Sequence, residues 1–369
     1  MDQELEMIAN RLTQAKMPEE VFGNIQAQRD EMFLLLQKNY RAIAKIAHPD
    51  MYHTKPEQIL AQTTFQLLTD WLGKANEKIK SGEYGRPVDP SKTILQTKKR
   101  RYSVDGAYIQ EGIFNLYPCS YVEDGRVHRS VLKIVRDWHN NDLAENGARI
   151  LRILARGEDA ETFSPYLPNL VESFVYESGG VNRQAVILEK YDGWYSWEDV
   201  HQVYPKGVDP KDMAWMWRRL LVVLGFSHSK KILHGAVLPR NVWILPEEHG
   251  LMLVNWEQAV IDPMTTMDRI RAIAPEDAGW YPQEVLNGQI PLFGTDIQMS
   301  AKCMVWLLGG DAQKKVIPDS VPTPLKAFLK GSLLPDRRAP QNAWNLKEEF
   351  DELIGRLWGK RKFHPFSMK

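Results

Sequence analysis

From its N-terminus to about Lys80 the chain sets its apolar side chains three or four residues apart, a rhythm that helices alone bury on one side. Phe33, Leu36, Tyr40, Ile43 and Ala47 form one such stripe. Lys38, Arg41 and Lys45 repeat at the same spacing on the opposite side and so share a face. Phe65, Leu68, Leu72, Ala75 and Ile79 give a second stripe. It follows Thr54-Lys-Pro-Glu57, a helix start with Thr as cap, Pro in the first turn and Glu reaching back. Two amphipathic helices with a short polar loop between them are expected to pack antiparallel.

Past Lys80 the rhythm changes. Residues 81–101 hold Gly, Pro and the basic run Lys98-Lys-Arg-Arg101 without a period, which reads as a linker stiffened at Pro87 and Pro90. Such a run usually serves solvation, with an anionic partner as the alternative. Strand-like runs follow at 107–116, 130–135, 170–176 and 185–188, with a helical stretch at Asp142–Ala155. Asp209-Pro-Lys-Asp212 opens a long helix to about His228, and the remainder is mostly helical. Strands early and helices late predict an α+β chain with a small sheet lobe and a larger helical lobe. The expected division is residues 1–85, a linker at 86–101 and a second domain at 102–369, in keeping with roughly two domains for this length.

Composition narrows the function. Lys+Arg 47 against Asp+Glu 47 leaves no net charge, which disfavours a nucleic-acid binder. Hydrophobic content of 43%, with 12 Trp, supplies a sizeable core and excludes wholesale disorder. Core packing accounts for Trp215 and Trp217, while Trp194, beside Asp192-Gly193, is expected to be exposed and suits a partner surface. The two cysteines, Cys119 and Cys303, exclude a disulfide scaffold and a thiolate zinc cluster and fit a reducing compartment. Nine His lack metal-ligand spacing. No apolar run approaches membrane-spanning length, and the acidic N-terminus carries no secretory pattern. The expectation is a soluble cytoplasmic protein with neither a membrane nor a nucleic-acid partner.

His48-Pro49-Asp50 stands directly after the basic helix and before the second stripe. A generic polar turn explains the tripeptide alone; the basic helix, the loop and the apolar helix around Phe65 together do not come from a turn. Residues 1–85 resemble the J domain of the DnaJ co-chaperone family, with Tyr40 to Asp50 similar to its second helix and signature loop. The resemblance implies that His48, Pro49 and Asp50, with Lys38, Arg41 and Lys45, dock on a DnaK-type chaperone and stimulate its ATP hydrolysis. The physics is compatible: one basic face steers an acidic partner, and Pro49 stiffens the loop. Met51-Tyr52-His53 departs from the family, many of whose members place Lys there.

In the larger part come Val131-Leu-Lys133-Ile, His234-Gly-Ala-Val-Leu-Pro-Arg-Asn241, Asn255-Trp-Glu257, Tyr281-Pro-Gln-Glu284, Asp296 and Arg337-Arg338. Their order and spacing resemble the protein-kinase fold across about residues 105–355. The resemblance implies that Lys133 holds ATP phosphates, that His234 to Asn241 is the catalytic loop, and that Asn255 to Glu257 is the metal-binding triplet. It also implies fold-supporting roles for His234, for Glu284 with Arg337 or Arg338, and for Asp296. Phosphoryl transfer needs a carboxylate to orient the hydroxyl and another to hold Mg²⁺. Ala236 and Asn255 occupy those two positions, and a neutral amide is the weaker ligand for a hard cation. Only Gly112 remains of a phosphate-cradling loop, and the helix glutamate that pairs with the lysine aligns on Gly147, with Glu145 two residues away.

These departures predict a pseudokinase with no catalytic residue, no metal and no cofactor, ATP with magnesium being the one candidate. Lys133 and Asn241 read equally as remnants of a nucleotide site or as a snorkelling strand lysine and a turn asparagine. Glu257 reads as an exposed turn residue, with replacement of the lost metal carboxylate as the alternative. The expected function is that of a co-chaperone whose kinase-like domain binds a client or partner. The rival is an atypical kinase or nucleotidyl transferase using Lys133, Asn241, Asn255 and Glu257.

Overall fold

The helical rhythm of the first part is realised as α1 (Gln3–Gln14), α2 (Pro18–Phe22), α3 (Arg29–Ala47) and α4 (Lys55–Lys80). The structure, a computed structural model, describes residues 2–368 except 16, 26, 81–83, 86–91, 272, 336, 337 and 361. Asp2 caps α1 by accepting from the Glu4 N–H at 2.9 Å. Thr54 donates its hydroxyl to Glu57 at 2.6 Å where α4 begins. The two expected stripes meet: Leu36, Leu68, Ala75 and Ile79 are buried, with Phe33, Tyr40, Ile43 and Leu72 packed against them. Each fully buried Leu or Ile contributes about 1.5–3 kcal/mol. Trp71 joins this core and donates its indole N–H to the Leu12 carbonyl at 3.0 Å, which ties α1 to α4. Lys78 and Glu19 form a buried ion pair at 2.7 Å.

The linker expected at 86–101 is partly replaced by structure. Residues 86–91 lie outside the described set, while β1 (Lys92–Gln96) and β2 (Arg101–Asp105) pair antiparallel. Thr97 N–H donates to the Arg100 carbonyl at 2.9 Å to close their turn. The basic quartet Lys98 to Arg101 thus sits at a hairpin end. The sequence does not announce this strand because β1 lies at the sheet edge, and an edge strand buries too little to need apolar alternation.

The chain forms two compact units. One comprises Met1–Tyr108 with Tyr117–Ser130, the other Ile109–Leu116 with Val131–Lys369. The sheet continues with β3 (Ile109–Glu111), β4 (Phe114–Glu123), β5 (Arg126–Val135), β6 (Leu170–Ser178) and β7 (Val181–Glu189). Its order is β1-β2-β4-β5-β7-β6, with β3 on β4. The helix expected at 142–155 is α5 (Asn141–Leu154), followed by the short α6 (Ala160–Phe163).

The larger unit goes on with β8 (Tyr195–Ser196), α7 (Trp197–Val203), α8 (Pro210–Ser229), β9 (Ile232–Leu233), β10 (Val242–Leu245), β11 (Gly250–Leu253) and β12 (Val260–Ile261). It ends with α9 (Pro263–Thr266), α10 (Gln283–Leu286), α11 (Phe293–Leu307), α12 (Thr323–Ser332) and α13 (Ala343–Trp358). As expected, Asp209 caps α8, accepting from the Lys211 N–H at 2.8 Å with Pro210 in the first turn. Trp215 and Trp217 on α8 belong to the core, and the Trp217 indole donates to Ser300 of α11 at 3.0 Å. Trp194 is half-buried rather than exposed. At Gly225 a Cβ would fall 2.6 Å from the Trp344 ring, so α8 and α13 approach closely only because that position carries no side chain. The result is a mixed α/β architecture with an N-terminal helical region and an antiparallel sheet. Among the described residues no helix is long and apolar enough to cross a membrane.

Candidate functional sites

Two constellations concentrate the chemistry, and each lies inside one unit. The first is the turn between α3 and α4. His48 ends α3 in an extended conformation (φ −71°, ψ 128°), as a residue before proline must, and Pro49–Met51 makes one 3-10 turn. The Asp50 N–H donates to His48 Nδ1 at 3.3 Å, and the His48 ring sets its edge against Phe65 of α4 with centroids 5.4 Å apart. Tyr52 donates its hydroxyl to the Ile46 carbonyl at 2.7 Å, and Gln58 Nε2 donates to the Tyr52 carbonyl at 2.9 Å. The turn is therefore fastened to both helices, yet His48 keeps 48% and Asp50 89% of their side chains exposed. Lys38, Arg41 and Lys45 are exposed on α3.

The second constellation surrounds Lys133 on β5. Its ammonium lies 2.8 Å from Glu257 Oε1, 3.0 Å from Asn255 Oδ1 and 4.2 Å from the centre of the Phe114 ring. The Lys133 side chain is only 6% exposed and that of Glu257 16%. Asn255, in the left-handed region at φ 61°, uses its amide in both senses. Its oxygen accepts from Lys133, while Nδ2 donates to Asn241 Oδ1 at 2.9 Å and to Glu111 Oε1 at 3.3 Å. Asn241 Nδ2 in turn donates to the Ala236 carbonyl at 2.9 Å. The adjoining cavity has a volume of about 110 Å³ and is lined by Glu111, Phe114, Ala236, Asn241, Asn255 and Glu257 among others.

Beneath this cluster Asp296 of α11 holds the chain at 234–235. It accepts from the His234 N–H at 2.8 Å, the Gly235 N–H at 2.9 Å and His228 Nε2 at 2.9 Å. His234 is wholly buried; its Nδ1 accepts from the Ala236 N–H, so Nε2 carries the proton and donates to the Val254 carbonyl at 3.1 Å. Burial pushes the His234 pKa down, with Asp296 opposing. Arg240 grips the buried carboxylate of Asp277 through both of its terminal nitrogens.

Lys133, Asn241 and Asn255 are thus brought together, and the readings of a surface lysine and an exposed Glu257 give way. The pairing of Glu257 with Lys133 is not legible in the sequence because 124 residues separate the two. Glu145 is exposed, and Gly147 is buried against the Glu257 turn, so the carboxylate beside Lys133 comes from neither helix position considered. Glu111 belongs to no local pattern that would mark it in the sequence. Of the two arginines expected to pair with Glu284, Arg337 lies outside the described residues and Arg338 is exposed with its N–H donating to the Pro335 carbonyl. Lys302 donates to the carbonyls of Gly279 and Tyr281 at 3.1 and 2.8 Å, and burial draws its pKa down to about 8.

No protein-family model matches this sequence, and no curated protein matches it.

Proposed function

We propose that the chain is a J-domain-type co-chaperone. Its N-terminal helices recruit a DnaK-type chaperone and stimulate the chaperone's ATPase, and its larger unit is a kinase-like module without phosphotransfer activity that binds a client or partner. The observation that carries this reading is the fastened but water-exposed turn His48-Pro49-Asp50 at the end of the α3–α4 hairpin, beside the basic face of Lys38, Arg41 and Lys45. An exposed basic face accelerates encounter with an acidic partner, and a turn held from both sides gives the contact one geometry. For the larger unit, Ala236 supplies no carboxylate, and Asn255 and Glu257 are engaged with Lys133. Covalent linkage of the two activities raises the client's effective concentration at the chaperone.

The test is a single-turnover ATPase assay with a DnaK-type chaperone. Wild-type protein accelerates hydrolysis, and His48→Gln brings the rate back to that of the chaperone alone. A wild-type chain that leaves the rate unchanged sinks the proposal. Transfer of radiolabelled phosphate or nucleotide by the wild-type chain replaces the binding-module reading with the enzyme reading.

A further inference from the structure

Lys133 presents a physical problem whose solution is on view. A buried ammonium costs several kcal/mol unless a counter-ion stays beside it. Here the carboxylate of Glu257, the amide oxygen of Asn255 and the face of Phe114 surround Lys133 together.

The position of Glu257 is fixed by α5. Asn146 Nδ2 donates to the backbone carbonyls of Glu257 at 3.0 Å and Ala259 at 2.8 Å, pinning the turn that carries the carboxylate. Next to it Gly147 leaves room: a Cβ there would stand 3.3 Å from both Cγ and N of Glu257, tighter than ordinary contact. Asn255 completes the arrangement. A carboxylate at that position would have no N–H to give Glu111 or Asn241, and would bring a third negative group into a cluster holding Glu111 and Glu257.

We infer that the Lys133 cavity is self-liganded, with the Glu257 carboxylate occupying the station at which a polyphosphate would meet Lys133. The inference rests on the kinase-like reading only in taking polyphosphate as the displaced anion. Two carboxylates, Glu111 and Glu257, face an incoming polyphosphate, while of the two cations at hand Lys133 is held by Glu257 and Arg240 by Asp277. The cavity of about 110 Å³ is also below the roughly 300 Å³ at which small-molecule sites begin. The internal ion pair satisfies Lys133 without nucleotide, and Glu257 is the group that bars an anion from it.

The test measures binding of inorganic tripolyphosphate and of ATP, each with and without Mg²⁺, by calorimetry on the full chain. Wild-type protein gives no Lys133-dependent binding. Glu257→Gln, whose fold is checked by circular dichroism, binds tripolyphosphate at least about tenfold more tightly, a change of about 1.4 kcal/mol. Adding Lys133→Met to that variant removes the gain. Lys133-dependent binding by wild-type protein overturns the inference, as does a folded Glu257→Gln that binds no better. Should Glu257→Gln not fold, an amine-reactive acyl-phosphate of ATP applied to wild-type protein decides: an unlabelled Lys133 supports self-liganding, and a labelled one overturns it. Phosphate transfer by the wild-type chain would instead defeat the kinase-like reading, so the two failures are told apart.

Discussion

At the hairpin turn Asp50 leaves 89% of its side chain in water, whereas at the cavity Lys133 leaves 6% of its own. Both regions place charged groups within reach of one another, and they put them to opposite uses. Exposed charges at the turn interact weakly through water and stay available to a partner. At the cavity the same kind of group is wrapped in an ion pair, an amide and an aromatic face, so its free energy is committed to the fold. The lesson is that residues of equal chemical promise are separated by burial: what is satisfied internally has nothing left to offer, and what is merely held in place has.

Stability measurements can break or sharpen this contrast. The largest effect is expected from Lys133→Met, which strands Glu257 without its cation and lowers the unfolding free energy of the larger unit by about 3–5 kcal/mol. Stimulation of a chaperone ATPase by the folded variant is expected to be unchanged. A loss below 1 kcal/mol, on the order of a surface substitution, would dissolve the distinction. Next comes Asn255→Asp, in which Asn241 Oδ1 and Glu111 lose their shared donor; urea unfolding is expected to fall by about 1–3 kcal/mol despite the added attraction to Lys133.

A third effect is pH-dependent. Burial holds the folded His234 pKa below the unfolded value of about 6.5, so the unfolded chain takes up the additional proton as pH falls. The stability contributed by the neutral ring is complete above about pH 6.5 and declines below it, by at most about 1.4 kcal/mol per pH unit. Thermal melts between pH 7.5 and 5.5 check this, with acid stabilisation as the contrary result. The smallest effect belongs to the turn: His48→Gln, expected to end ATPase stimulation, should change unfolding by less than about 0.5 kcal/mol. A larger loss would show that the turn serves the fold after all.

The sequence revealed whatever is decided within a few residues. The stripes of Phe33 to Ala47 and Phe65 to Ile79 are each one helix face, and their burial against one another needs no information from elsewhere. The cap at Asp209 and the hydrogen bond from Thr54 to Glu57 are equally local. Strand β1 was hidden because Lys92 to Gln96 pairs through its backbone at a sheet edge, where side chains carry little signal. In the cavity, that Ala236 and Asn255 carry no carboxylate is legible in the sequence itself. That Glu257 stands beside Lys133 follows from the fold bringing distant segments together, and no spacing rule encodes it. That Gly147 lies directly against the turn at Glu257 appears only once these two segments are seen together.

That bare position on α5 has a genetic consequence. A side chain introduced at 147 would set its Cβ 3.3 Å from Cγ and N of Glu257, so that the turn must yield by a few tenths of an ångström, while deleting Glu257 would leave an ammonium stranded in the interior. Substitutions at 147 and 257 are therefore coupled, and their effects on stability are not expected to add.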